Sequence, residues 1–113
     1  MTLLFTAQQP WGSWTLHPAG SICSDVRWAR CAGQVIRDGE RIIRPSQDCS
    51  IAYGYSVSFN ELTVLDERNY AEQHGAQLLP DPRHSVSCVH TYNRAGDWEA
   101  IDGRARMDRA LVM

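Results

Sequence analysis

Between Gly33 and Arg44 the chain reads as two extended runs joined by Asp38-Gly39. That dipeptide suits a two-residue type I′ turn, because glycine accepts the positive φ such a turn demands. With Asp38-Gly39 as the loop, Arg37 faces Glu40 and Val35 faces Ile42. An opposite-charge pair beside the turn and an apolar pair beyond it set the register of an antiparallel hairpin.

The rest of the chain repeats this language. Tyr53, Tyr55, Val57 and Phe59 alternate with Gly54, Ser56, Ser58 and Asn60, a strict period of two that predicts a strand with one buried face. Leu62 and Val64 break that parity and predict a bulge near Asn60-Glu61. Leu3 to Ala7 and Trp14 to His17 read as short strands around a Trp11-Gly12-Ser13-Trp14 turn. Pro18 to Arg30 reads as irregular, and Asp66 to His74 as a loop or one helical turn. Gln77 to Leu79 reads as a short strand stopped by Pro80 and Pro82. Val86 to Tyr92 and Trp98 to Asp102 form a last hairpin, with Asn93 to Asp97 as its loop. Residues 104–113 read equally as strand or short helix. Short strands separated by Gly, Pro and Asp turns predict an all-β, mostly antiparallel sandwich, barrel or propeller.

At 113 residues the chain is one domain, 1–113, large enough to bury a core without a staple. Its formal charge of −2 argues against a nucleic-acid partner, which needs a clustered basic surface. No run approaches the roughly 20 apolar residues of a membrane span. Met1 to Phe5 lacks the charged region of a secretory signal, so a cytoplasmic location is expected. Cys23, Cys31, Cys49 and Cys88 contain no C-x-x-C pair and read as reduced, apolar residues rather than zinc ligands. His84, Cys88 and His90 have a loop-to-strand spacing poorly suited to a metal, so neither metal nor cofactor is expected. The four tryptophans (Trp11, Trp14, Trp28 and Trp98) read as core or turn packing rather than as sugar-stacking platforms.

One series of motifs is less generic. Trp14 with His17-Pro18 is followed by Ser24-Asp25-Val26-Arg27 and by Ala29-Arg30-Cys31-Ala32-Gly33. After the hairpin come Arg44-Pro45-Ser46-Gln47-Asp48-Cys49-Ser50 and Tyr53-Gly54. Tyr70 with Glu72, His90-Thr91 and Ile101-Asp102-Gly103 complete the series. From about Leu3 to Asp102 it resembles the N-terminal propeller domain of glucosamine inositolphosphorylceramide transferases and its bacterial relatives. That propeller is of the five-bladed type shared with arabinanases and other furanosidases. Cys31 departs from the family pattern by standing where proline is usual.

The resemblance implies about two propeller-like blades with open sheets, completed by oligomerisation, a homodimer being favoured. It also implies a carbohydrate or sugar-phosphate ligand at a polar site built from Arg30, Arg44, Gln47, Asp48 and His90. Arg44, Gln47 and Asp48 offer a guanidinium fork, an amide and a carboxylate within five positions, a set that can hydrogen-bond vicinal hydroxyls or phosphate. The same residues are equally readable as a buried Arg44–Asp48 ion pair that locks the chain after the hairpin. His90 shares strand parity with Val86, Cys88 and Tyr92, so it reads either as a core histidine or as part of the site. Glycoside hydrolysis needs two carboxyl groups about 5–9.5 Å apart. Only Asp25 and Asp48 lie in the motifs, and related propeller hydrolases draw their acids from several blades. A self-contained glycosidase is therefore not expected. A site completed between subunits, or an interaction protein without a ligand, remain the alternatives.

Overall fold

Strand-forming sequence dominates, and the computed structural model, which describes residues 1–105, is all-β with open antiparallel sheets. Strands β1 (Thr2–Thr6) and β2 (Thr15–Cys23) form one two-stranded sheet. The central sheet holds β3 (Arg30–Cys31), β4 (Ile36–Asp38), β5 (Arg41–Asp48), β6 (Ser56–Leu65) and β7 (Tyr70–Leu78). Its order is β3-β5-β6-β7, with β4 also on β5. Strands β8 (Val86–Ala95) and β9 (Trp98–Ala105) form a second two-stranded sheet. A 3₁₀ turn, Pro82–His84, is capped by Asp81. No helix among the described residues is long and apolar enough to cross a membrane.

The β4–β5 hairpin forms, but with a different register from the one expected. Asp38 pairs with Arg41, Arg37 with Ile42 and Ile36 with Ile43, leaving Gly39-Glu40 as the loop. Only Gly39 has positive φ (+62°), the requirement of a type II′ rather than a type I′ turn. The gain is tertiary: Ile36 packs against the core, whereas Val35 stays exposed. An opposite-charge pair still flanks the turn, as Asp38–Arg41 instead of Arg37–Glu40.

Strand β6 is central, and it buries both faces rather than one. Pro45 lies opposite Phe59, and Val57 lies between Gln47 of β5 and Leu78 of β7, on the apolar side. Val57 joins Ala32, Val89 and Tyr92 in the core, with Ile36, Phe59, Leu78 and Val86 packed around it. The Phe59 ring meets Tyr92 edge-on, with centroids 5.1 Å apart. On the other side, Arg44, Ser46 and Asp48 of β5 lie opposite Asn60, Ser58 and Ser56 of β6. All six of these polar residues are buried. Hydrophobic alternation cannot reveal a second buried face that is polar.

That polar face also explains strand β7, and strand pairing explains the other departures from the sequence pattern. Strand β7 runs over Tyr70–Leu78, where a loop or helical turn was expected, because its inward residues are themselves polar: His74 lies opposite Asn60 and Gln77 opposite Ser58. Gln77 and Leu78 are therefore the end of β7 and not part of a separate strand, and Leu79 lies just beyond it. Strand β2 extends through Cys23 across much of the expected irregular stretch, since β1 reaches Ser21 and Cys23 through bulges. The parity break in β6 is real but double, with irregularities between Ser58 and Asn60 and between Leu62 and Val64. The β8–β9 loop shrinks to Gly96-Asp97, because Ala95 and Trp98 pair directly. Arg104 and Ala105 finish β9; the remainder of the undecided segment, 106–113, lies outside the described residues.

Candidate functional site

Strand alternation divides the five expected site residues. Arg44 and Asp48 point to the buried polar face of β5, and Gln47 points to the opposite one, across from Arg30. The expected fork of Arg44, Gln47 and Asp48 is therefore not assembled. Arg44 does not pair with Asp48 either. Its Nε donates to Glu72 Oε2 (2.9 Å), and its Nη2 donates to Glu72 Oε1 (2.7 Å) and to the Trp28 carbonyl (2.9 Å). The Tyr70 hydroxyl donates to the same Glu72 carboxylate at 2.6 Å. Asp48 instead accepts from the Ser50 amide (2.9 Å) and hydroxyl (2.6 Å), closing the turn that follows β5.

The loop at Asp25–Ala29 lids this polar layer. Trp28 stacks on His74 with centroids 3.7 Å apart and planes 4° from parallel, and the Arg27 guanidinium lies 4.0 Å above the Trp28 ring. His74 Nδ1 bonds Asn60 Oδ1 (2.7 Å), and Asn60 Nδ2 donates to the Arg44 carbonyl and to Ser46 Oγ. The Arg27 fork holds Asp25 by two side-chain hydrogen bonds, which pull its carboxyl down to about 2. Burial pushes the Glu72 carboxyl up, but the hydrogen bonds from Arg44 and Tyr70 outweigh it, so Glu72 ends below its ordinary value. This cluster is closed and structural.

Arg30 and His90 meet elsewhere, around Tyr53, a motif residue not among the five expected at the site. The Tyr53 ring, 60% exposed, lies under the Arg30 guanidinium at 4.7 Å. Its hydroxyl is 3.4 Å from His90 Nε2, and His90 Nδ1 is 3.1 Å from Asp102 Oδ2. Asp102 Oδ1 accepts from the Thr91 amide (2.6 Å) and hydroxyl (2.5 Å). The Thr91 hydroxyl above all, with His90 behind it, draws the Asp102 carboxyl below its ordinary value. Two adjoining clefts share Tyr53. One, of 440 Å³, is lined by Arg30, Ser24, Val26 and Cys49; the other, of 340 Å³, by His90, Asp102 and Arg104.

A bulge aims His90 here. Val89 pairs with Gly103 and Thr91 with Asp102, so His90 is the unpaired extra residue of β8. It thereby leaves the apolar face that simple parity gave it, while Val89 and Tyr92 turn inward. Gly54 leaves room for the ring: it has a φ of +65°, and a Cβ there would stand 2.8 Å from His90 Cδ2. Gly54→Ala is expected to displace His90 from Tyr53 and to cost about 1–3 kcal/mol, the range for a non-glycine residue held in that conformation. Histidine ring shifts by NMR, with a urea melt, check both effects. Unchanged His90 resonances would contradict this arrangement.

Three tryptophans expected to pack do not. Trp11, Trp14 and Trp98 are exposed, although Trp14 Nε1 still donates to the Pro10 carbonyl; Trp28 alone stacks inside. All four cysteines are free, and His84 pairs with Asp81 at 3.0 Å. Among the described residues, no group of three His, Cys, Asp or Glu side chains is placed to hold a metal ion. Tyr53, Asp102, Tyr70 and Glu72 all lie in the quoted motifs, but nothing in their spacing separates the open cluster from the closed one. Compared with known proteins, the chain matches no family model, no curated protein and no solved structure.

Proposed function

We propose that this chain is a propeller-derived module that binds a carbohydrate or sugar phosphate and acts as a homo-oligomer. One observation carries the reading: an exposed tyrosine ring between a guanidinium and a histidine–carboxylate pair, where two clefts meet. A sugar presents apolar C–H faces that suit an aromatic ring, and hydroxyls that need paired donors and acceptors at its edge. Arg30 adds a fixed cation with the planar fork that phosphate accepts. Arg44, Gln47 and Asp48 support the site from behind as folding determinants.

Binding is favoured over glycoside hydrolysis by the lining of the two clefts: Asp102 is the one carboxyl among their described residues, whereas hydrolysis of a glycoside needs a pair.

Ligand-observed NMR with glucose, galactose, mannose, arabinose, their phosphates and inorganic phosphate tests the proposal. At least one sugar should bind saturably, and Tyr53→Ala should weaken it about tenfold or more, the loss of one aromatic contact. Arg30→Ala should weaken a sugar phosphate more than the neutral sugar. Absence of binding across the panel, or binding indifferent to Tyr53→Ala, would sink it.

A further inference from the structure

The strand count of the three sheets is uneven in a suggestive way. The central path, β3-β5-β6-β7, is four strands wide, whereas β1–β2 and β8–β9 are two strands each. A lone two-stranded sheet is marginal in water and needs a third strand or a packed face to persist. Neither pair has one on its outer side among the described residues: β1 pairs only with β2, and β9 only with β8.

Both pairs also carry apolar residues that end in solvent. Ile101 sits directly opposite Tyr92, a core residue, yet is 52% exposed, with no strand beyond β9 among the described residues. Phe5 and Leu16 face each other across β1–β2 and are 48% and 52% exposed. All eight residues of β9 are exposed.

What a partner would take is the apolar surface of these two pairs: Leu3, Phe5 and Leu16 on one, and Trp98 and Ile101 on the other, are between 45% and 82% exposed.

We propose that a second copy of this chain covers these edges, with β9 of each copy pairing antiparallel to β1 of the other. The proposal rests on the self-association stated above and not on the ligand. Each joint merges two half-sheets into a four-stranded sheet of the width already seen in the middle of the chain. With Ile101 opposite the partner's Phe5, the row Tyr92–Ile101 continues into Phe5–Leu16 of the other copy as one apolar face. The two joints are reciprocal, which is the requirement of a closed two-fold dimer. Edge pairing of this kind satisfies backbone groups that an exposed strand leaves open.

Light scattering on a sizing column and native mass spectrometry, both without ligand, test this. Wild type should run at twice 12.8 kDa at tens of micromolar. Phe5→Lys and Ile101→Lys alter exposed side chains, so each should keep the wild-type circular dichroism but run as a monomer. Mixed one to one they should form a heterodimer, because one joint then pairs an unaltered β9 with an unaltered β1. Its dissociation constant should exceed the wild-type value at least tenfold, since the other joint carries both lysines. A monomeric wild type overturns the proposal. So does a mixture that stays monomeric, or Ile101→Lys dissociating while Phe5→Lys remains dimeric, which would indicate β9 pairing with itself. Sugar binding by a monomer would leave the ligand reading standing while this one falls.

Discussion

Glu72→Ala is expected to lower the unfolding free energy by about 3–5 kcal/mol, because it strands a buried guanidinium without its carboxylate. The Arg44 and Glu72 side chains are 7% and 6% exposed, and their two-point contact supplies three of the charges' hydrogen bonds together with Tyr70. One further Arg44 nitrogen, Nη1, is buried with no partner, so the guanidinium has no spare solvation to fall back on. The loss comes from the unpaired charge rather than from the worth of the pair. Arg44→Met/Glu72→Leu, which removes both charges and keeps the volume, should therefore lose less than either single truncation. Urea melts of wild type, Glu72→Ala, Arg44→Ala and the double variant read this directly. A Glu72→Ala loss below about 1 kcal/mol would mean that water reaches the pair. The pH dependence has a definite sign. Glu72 is held below its ordinary carboxyl value, so its contribution is fully present above the value it has unfolded. It is lost as pH falls through the folded value, and Glu72→Gln should flatten the acid limb of stability against pH.

Gly33→Ala is the second large expected effect. Gly33 has a φ of +142°, and a Cβ there would be driven into the Tyr92 carbonyl. The backbone conformation alone costs a side-chain-bearing residue about 1–3 kcal/mol. The close approach matters as much, because the neighbouring Ala32 carbonyl accepts the Tyr92 amide at 2.9 Å and so ties β8 to the central sheet. Loss of that bond adds about 0.5–1.5 kcal/mol. A fall in melting temperature of about 10 °C or more is expected for a domain of this size. Gly20→Ala, at a φ of +65° with open space around it, provides a positive-φ comparison without the close approach and should lose less. Equal losses at the two positions would mean that the Gly33–Tyr92 approach contributes nothing.

The two experiments probe the two sides of one sheet. Gly33 guards the apolar side, where β8 is sutured by Ala32 and by the Val89 amide bonding to the Tyr55 carbonyl at 3.0 Å. Glu72 guards the polar side, where Arg44, Asn60 and His74 substitute hydrogen bonds for hydrophobic packing. The open cluster at Tyr53 lies at the start of the same sheet's central strand. Strand β6 begins just after it, and the β8 bulge brings His90 to it.

Local chemistry alone determined that this chain is all-β and antiparallel. Period-two alternation at Tyr53–Asn60, a glycine turn at Gly39 and a last hairpin of Val86–Tyr92 with Trp98–Asp102 are short-range signals; the structure keeps the turn and the hairpin, and keeps the alternating strand from Ser56 onward, Tyr53 and Gly54 lying in a turn. The hairpin's register was decided tertiarily, since burying Ile36 against Val57 and Tyr92 outweighed the turn preference of Asp38-Gly39. Strand β7 was likewise invisible locally, because Tyr70, Glu72 and His74 face a polar layer that no hydrophobic pattern marks. The candidate site shows the same division. Sequence named Arg30 and His90, but strand parity alone could not say that Arg44 would turn away from them toward Glu72. Nor could it place an extra residue in β8 that swings His90 out of the core face and onto Tyr53. Residue type fixes which bonds a side chain can make. Only the packed sheets fix which partner comes within 3 Å.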